Sequence, residues 1–356
     1  MQTVRFIVIG SLLVNETLRL KMACGLYDRM LDLYRGDVRP NGIRLNFMPM
    51  DGSAGAREIF DRMAGNLEFD VAEMSSSEFI ARRAAGLRDL VALPVFPSRV
   101  FRHGMVSINL RSGIKSPKDL EGRRVGVPIY TMTAAVWMKG HLQHDYGVDI
   151  STIQWIEGAV NKPGPHGHPT ILPLLRPARI EKNTTGKSLS DLLESGGIDA
   201  IIGTVLPDAM NHNPNISRLF PNYREEEKNY YKRTRIFPIM HLIAVRRDVY
   251  EANPFIASSL FDAMCEAKER ARMRMRDLGT LTYMLPWMTA DIDEIDEIFG
   301  GDAWPYGVEP NRTTLEALMT YLTDQAIIEA PLPVEELFVP AYGRYDFKTG
   351  LQFSVV

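Results

Sequence analysis

Short apolar runs of strand length alternate with segments of helical periodicity along the whole chain, and this rhythm leaves few architectures open. Residues 18–23, 43–48 and 69–74 read as strands, separated by helical patterns at 27–35, 54–66 and 76–85. In the second helix Ile59, Phe60 and Met63 form the inward face, and Ser75 or Ser76 supplies the N-cap of the third. A βαβα order of this kind predicts a mostly parallel sheet with helices on both faces, where ligands gather at the carboxyl ends of the strands.

A second unit repeats the pattern. After a strand at 105–109, Ser116-Pro117-Lys118-Asp119-Leu120 opens a short helix, and strands at 124–127, 153–156 and 200–202 alternate with helices at 133–146 and 189–195. The helix at 133–146 bears Ala134, Trp137, Met138 and Leu142. The chain returns through an apolar strand at 240–245 into a long helix at 254–278. There Ile256, Leu260, Phe261, Met264, Ala267, Ala271 and Met275 point inward, while Lys268, Arg270, Arg272, Arg274 and Arg276 are expected on a solvated face. A chain of 356 residues exceeds the size of one ordinary hydrophobic core, so two domains are expected.

The remaining features exclude more than they assign. A hydrophobic fraction of 45%, a charged fraction of 24% and a net charge of -3 describe an ordinary soluble protein, with no sign of a nucleic-acid or membrane partner. Cys24 and Cys265 are isolated, so we expect buried thiols rather than a disulfide framework or zinc site. Arg5 precedes an apolar stretch at 6–14 that is too short to span a bilayer and lacks a small-x-small cleavage site before Glu16 and Arg19. It reads as a first strand or variable leader on a cytoplasmic protein, a processed or lipid-anchored form being the alternative. Residues 159–179 hold five prolines and the run His166-Gly167-His168, which reads as a flap over a cleft. Two histidines without acidic or cysteine neighbours are an incomplete metal set, and no metal is expected there.

The densest chemistry lies in Phe96-Pro97-Ser98-Arg99-Val100-Phe101-Arg102-His103, directly after an apolar run at 90–95. In extended backbone Arg99, Phe101 and His103 would share one face and Arg102 would take the other. Guanidinium groups, aromatic rings and an imidazole together suit a flat aromatic anion. The ordinary alternative is that both arginines are solvated or paired with surface acids.

Several blocks then carry a family resemblance. They are Ala23-Cys24-Gly25-Leu26-Tyr27-Asp28-Arg29, Glu68-Phe69-Asp70-Val71-Ala72-Glu73-Met74-Ser75, Leu93-Pro94-Val95-Phe96-Pro97-Ser98-Arg99 with Phe101-Arg102-His103, and Gly122-Arg123-Arg124-Val125-Gly126-Val127-Pro128. Further along come Met132-Thr133-Ala134-Ala135-Val136-Trp137, Phe237-Pro238-Ile239-Met240-His241, and Trp304-Pro305-Tyr306-Gly307 followed by Asn311-Arg312. With these blocks in this order, the sequence resembles the 4,5-dihydroxyphthalate decarboxylase family, a branch of the type II periplasmic-binding-protein superfamily. The resemblance runs over residues 18–340.

It implies a two-lobed α/β clam-shell of two mixed sheets flanked by helices. Lobe one would be residues 1–107 plus 241–356, and lobe two 108–240 with the flap at 159–179. The crossover strands would be 105–109 and 240–245, with the ligand in the interlobe cleft. The implied activity is that of a carboxy-lyase of aromatic compound catabolism, acting without a cofactor on 4,5-dihydroxyphthalate or a close relative. Loss of carbon dioxide from an aryl carboxylate would leave an sp2 carbanion outside the π system, so the ring carbon must be protonated first. That asks for an anion clamp, a base near the phenol and an acid near the ring carbon.

On this resemblance Arg99 and Arg102 take the carboxylates, His103 or His241 delivers the proton, and Glu73 or the other histidine faces the phenol. Tyr27, Ser75, Ser76, Tyr130, Thr133, Trp137, Trp304 and Tyr306 would bind substrate or wall the cleft. Each has an ordinary reading beside it: structural histidines, a Glu73 that caps its loop, core tryptophans, and an Arg29 that points to solvent. One position departs from the pattern. Relatives commonly carry an arginine two residues before a proline where this chain has Val205 before Pro207, which predicts one fewer anion on the substrate or a clamp built elsewhere. The expected partner is a small aromatic carboxylate, and a homo-oligomer is compatible with the sequence. The alternative function is a non-catalytic solute-binding protein for a small organic anion, and a ligand-binding regulator would need a partner domain.

Overall fold

The computed structural model of the chain describes residues 17–50, 52–169 and 172–341. The apolar stretch at 6–14 lies outside the described residues, as do both termini of the expected lobe one. Eleven strands form two sheets: β1 (Leu18–Gly25), β2 (Ile43–Met50), β3 (Val71–Ser75), β4 (Leu90–Arg99), β5 (Val106–Asn109), β6 (Arg124–Val127), β7 (Gln154–Glu157), β8 (Ile180–Lys182), β9 (Ala200–Ile202), β10 (Ile216–Arg218) and β11 (Ile239–Arg246). The helices are α1 (Leu31–Arg35), α2 (Gly52–Asn66), α3 (Ser76–Ala84), α4 (Thr133–His144), α5 (Leu189–Ser195), α6 (Tyr223–Thr234), α7 (Arg247–Ala252), α8 (Ile256–Arg276), α9 (Met288–Phe299) and α10 (Arg312–Asp324).

The first sheet runs β2-β1-β3-β11-β4, with β1 parallel to β2 and β3, and β11 antiparallel to both β3 and β4. Every residue of β3 and β4 is buried, as expected of strands covered on both faces. The second sheet runs β10-β5-β9-β6-β7-β8, with parallel pairs along β9-β6-β7-β8 and antiparallel pairs around β5. The sheets are therefore mixed. Among the described residues no helix is long and apolar enough to cross a membrane.

The passages between the sheets differ from expectation. β4 ends at Arg99 and β5 is already part of the second sheet, so the chain crosses in the connection 100–105, which contains a short 3₁₀ turn at His103–Met105. The backbone is not extended there, and the expected alternation of Arg99, Phe101 and His103 against Arg102 does not hold. β11 lies wholly in the first sheet, entered from α6. The long helix α8 also departs from its expected solvated face. Lys268 is buried, its Nζ donating to Asp302 Oδ2 at 2.5 Å and to the Trp304 carbonyl at 3.0 Å, and Arg274 Nη1 meets Asp32 Oδ2 at 2.6 Å. Met275, expected inward, is only half-buried.

α4 is the element that joins the layers. All ten residues from Thr133 to Leu142 are buried: most are apolar or small, and the buried Lys139 is met by the Tyr130 carbonyl at 2.8 Å. Ala134, Val136 and Trp137 pack in the core built on the first sheet, while Ala135, Met138 and Leu142 pack in that of the second. Trp137 Nε1 donates to the Ile239 carbonyl of β11 at 2.9 Å. One turn further along the same face Gly140 lies against Tyr321 of α10, so closely that a Cβ there would fall 2.1 Å from the ring.

The same neighbourhood buries two histidines. His103 and His141 stack at 5.2 Å, walled by Tyr230; neither nitrogen of His103 has a hydrogen-bond partner among the described residues, and His141 Nδ1 lies 3.6 Å from Asp145 Oδ2. Burial lowers the pKa of both, that of His103 to about 3 with His141 adding to the effect. The unfolded chain therefore takes up these protons first as the pH falls. The stability that neutral rings confer is complete above about pH 6.5 and declines below it, by at most about 1.4 kcal/mol per pH unit for each ring. Urea denaturation at stepped pH values should show this decline, and His103→Phe should make it shallower.

Candidate active site

The register of the first sheet brings the acid–base residues together. His241 on β11 stands opposite Ser75 of β3 on one side and Ser98 of β4 on the other, with Glu73 diagonal to it on the same face of β3. All of them lie at or behind a cavity of about 420 Å³, to which Tyr27, Ser75, Ser98, Arg102, Thr133 and His241 contribute walls. A larger depression of about 1010 Å³ beside β1 and the edge strand β2 is lined by Leu33, Val38 and Leu45 with Arg19, Arg39 and Arg44, and holds no acid–base pair.

Glu73 is fully buried and saturated with donors. Its Oε2 accepts from the Gly25 N–H at 2.9 Å and the Cys24 thiol at 3.5 Å, and its Oε1 accepts from the Tyr27 hydroxyl at 2.7 Å and lies 2.5 Å from His241 Nδ1. Burial pushes the carboxyl up, but the charge and hydrogen bond of His241, with the Gly25 and Tyr27 donors, outweigh it and hold Glu73 below its ordinary value. Burial and then the Glu73 charge raise the Tyr27 hydroxyl far above the usual range, so it remains a donor. Glu73 thus orients His241 rather than facing a ligand itself. The Nε2 of His241 has no hydrogen-bond partner among the described residues, and the ring is steadied edge-on by Phe60 at 4.7 Å. This arrangement can hold a proton on Nε2 and deliver it into the cavity.

Arg102 is the candidate anion-binding group. It is nine-tenths buried and lines the cavity, yet its side chain forms no hydrogen bond or ion pair among the described residues, and burial lowers it to about 10 against the distant pull of Glu227. A buried cation without a partner is costly unless a ligand anion supplies one. Nearby, Thr133 and Ala134 open α4 before its first intrahelical bond, Val136 N–H to the Met132 carbonyl, so the helix N-terminus also faces the cavity. Hydroxyls fix this junction: Ser75 Oγ lies 2.9 Å from Thr133 Oγ1, which also accepts from the Ser77 N–H at 3.0 Å. Ser75 occupies the N-cap position of α3, but with its hydroxyl engaged there it makes no capping bond.

Other residues expected at the site stand elsewhere. Arg99 is buried behind the cavity wall, bonded to Asn311 Oδ1 and set between Phe96 at 5.7 Å and Phe237 at 5.5 Å. We expect Arg99→Met to leave KM unchanged and to lower stability by about 1–3 kcal/mol, read from a denaturation midpoint, because it orphans Asn311. His103 belongs to the buried pair described above. Tyr130 lies in the second sheet's core under Lys139, whose Nζ is 3.1 Å from its ring centroid. Trp137 is core, Ser76 is buried outside the cavity, and Tyr306 is buried beneath α8. Trp304 stacks on Arg29 at 4.5 Å, and Arg29 lies against Tyr27 at 4.3 Å while donating to the Pro97 carbonyl, so Arg29 does not point to solvent.

Sequence reasoning missed Arg57, His166, Ser98 and Thr204, which also line the cavity. Arg57 sits three residues before Phe60 on the face already read as inward, which was the available signal. Its Nη2 pairs with Asp61 Oδ1 at 2.6 Å and Glu78 Oε2 at 2.9 Å. No three His, Cys, Asp or Glu side chains come together as a metal cluster among the described residues.

The chain is 34% identical over 325 residues to the 4,5-dihydroxyphthalate decarboxylase of Comamonas testosteroni, covering 91% of this chain and 97% of that one. It is 34% identical over 221 residues to the protein of the same name from Pseudomonas putida, covering 62% and 84%. No family model matches the chain. Among solved structures, the periplasmic aliphatic sulphonate binding protein of Escherichia coli superposes with a TM-score of 0.51 at 11% identity, covering 90% of this chain and 97% of that one. The periplasmic sulfonate-binding protein of Methylobacillus flagellatus KT gives 0.50 at 14% identity, covering 91% and 92%. The structural likeness shows a periplasmic-binding-protein fold, and the sequence identity over nearly the whole of the Comamonas protein shows that the chain belongs to the 4,5-dihydroxyphthalate decarboxylase family.

Proposed function

We propose that this protein is a non-oxidative decarboxylase of a hydroxylated aromatic carboxylic acid, 4,5-dihydroxyphthalate or a close relative, with the reaction in the cavity between the two sheets. On this reading the chain has two lobes, 1–107 with 241–356 and 108–240, bounds that fall within a few residues of where the chain passes between the sheets. The supporting observation is that one cavity holds both an uncompensated buried guanidinium, Arg102, and a histidine oriented by a buried carboxylate, His241 on Glu73. A spectator carboxylate ion-pairs with Arg102 and sets the ring. The carboxylate that leaves lies toward His241, away from the arginine, since a salt bridge would favour the charged reactant over neutral carbon dioxide. His241 Nε2 then protonates the ring carbon, and the Glu73 charge steadies the imidazolium until transfer. Cleavage of the carbon–carboxylate bond restores aromaticity.

Val205 is exposed and Arg102 lies in the cavity wall, which supports a clamp built elsewhere over a substrate with one anion fewer. A solute-binding protein would need the cation but not the His241–Glu73 pair. The test is incubation with 4,5-dihydroxyphthalate and related hydroxybenzoates while carbon dioxide is detected. Gas release with one of them is the expected result, and binding without gas across the panel overturns the reading.

A further inference from the structure

Protonating a ring carbon para to a phenol also requires a group that removes the phenol proton, and neither expected candidate is placed to do so. Glu73 is saturated with donors, and His103 is sealed in its aromatic nest. The same cavity presents a second imidazole. His166, on the proline-rich segment, is half-buried and lines the wall together with Arg57 and His241.

Its position is fixed although it stands on a loop. Gly167 lies so close to Arg57 that a Cβ there would be 2.6 Å from Cγ of that side chain, and only glycine fits the contact. The next residue closes the seat, with the His168 N–H donating to Asp61 Oδ2 at 3.1 Å. The charges facing His166 are Arg57 and Asp61 from α2 and Lys162 from its own segment. Burial, then Arg57 and Lys162, lower its pKa, while Asp61 opposes them. A ring kept neutral near pH 7 accepts protons, whereas the ring against Glu73 is suited to donate one.

Resting on the decarboxylase reading, we propose that His166 is the general base that takes the phenol proton of the substrate bound in this cavity. The phenol O–H proton passes to a ring nitrogen of His166, and the electron pair moves into the ring. The para carbon forms its C–H bond with the proton from His241, the carbon–carboxylate bond breaks, and its pair returns to the ring as carbon dioxide departs. The product phenolate recovers its proton from His166, and His241 is reprotonated from solvent. Net, one carboxylate and one proton give one carbon–hydrogen bond and carbon dioxide.

The experiment compares the wild type with His166→Gln and His166→Gly in carbon dioxide release across pH. Wild-type kcat/KM should fall on the acid side as His166 protonates. His166→Gln should lose that limb and about 10²-fold in kcat, and added imidazole should restore part of the rate of His166→Gly. If the wild type releases carbon dioxide while both variants keep its rate and acid limb, or lose rate without any imidazole rescue, His166 is not the base and the decarboxylase reading stands. If the wild type releases none, the reading and the role fall together.

Discussion

His241→Gln lowers kcat by about 10²–10⁴-fold while KM for the aromatic acid stays nearly constant, because it removes a proton donor rather than a binding contact. Glutamine keeps a polar side chain near Glu73 but cannot exchange a proton at neutral pH. Glu73→Gln acts on the same step through the imidazole. It takes away the charge 2.5 Å from Nδ1 and places an amide where Gly25 N–H, the Cys24 thiol and the Tyr27 hydroxyl all point donors. Its loss of kcat is accompanied by a loss of stability, from an orphaned donor at a fully buried site. The double variant should be little worse than the poorer single one, since the two residues act as a unit. Single-turnover release of carbon dioxide checks all three, and a His241→Gln enzyme with normal kcat would place the acid elsewhere.

Arg102→Met has the unusual property of weakening function while strengthening the fold. The guanidinium is buried without an ion pair, so in the ligand-free protein only the distant charge of Glu227 offsets its desolvation cost. An unbranched thioether of similar length removes that cost, and ligand-free stability in urea should rise by about 1–4 kcal/mol. Binding of the carboxylate should weaken roughly 30- to 1000-fold, the size of a lost buried charge contact of about 2–4 kcal/mol. KM rises accordingly, and kcat at saturation changes less if the contact is uniform between reactant and transition state. A variant that lost stability, or that bound substrate normally, would show that Arg102 is structural. Arg99→Met should behave in the opposite way: Arg99 has Asn311 and two aromatic faces as partners, and its removal costs stability instead.

The alternating rhythm made the layers legible, because apolar runs of strand length are what a covered sheet needs. The helix at 189–195 and the strand at 200–202 coincide with α5 and β9, where Ser188 and Asp191 form a capping box and Gly196 closes the helix in the left-handed region. Polar elements were not legible: α6, with Tyr230 its only buried residue, carries almost no apolar stripe, and β8 shows three residues of which two are exposed. At the site, Glu73 and His241 were visible because both flank apolar strands, but the strand register that joins them is a tertiary fact. Arg99, Arg102 and His103 look equivalent in sequence. What separates them is the end of β4 and the 3₁₀ turn after it, which aim the first and third into the protein and leave the second on the cavity. His166 was seen only as half of an incomplete metal pair, since nothing local shows that Gly167 sits on Arg57.

The burial of α4 on every side bears on how such a molecule can communicate. A receptor that hands cargo to a membrane partner must announce that it is occupied, and it does so by turning one half against the other. Here that rotation would have to break the Trp137 bond to the Ile239 carbonyl and, on the same face of the helix, part Tyr321 from both Trp137 and Gly140. Contacts that resist such a rotation suit the proposed reaction, in which His241 as proton donor and Arg102 as anion clamp must keep a constant separation.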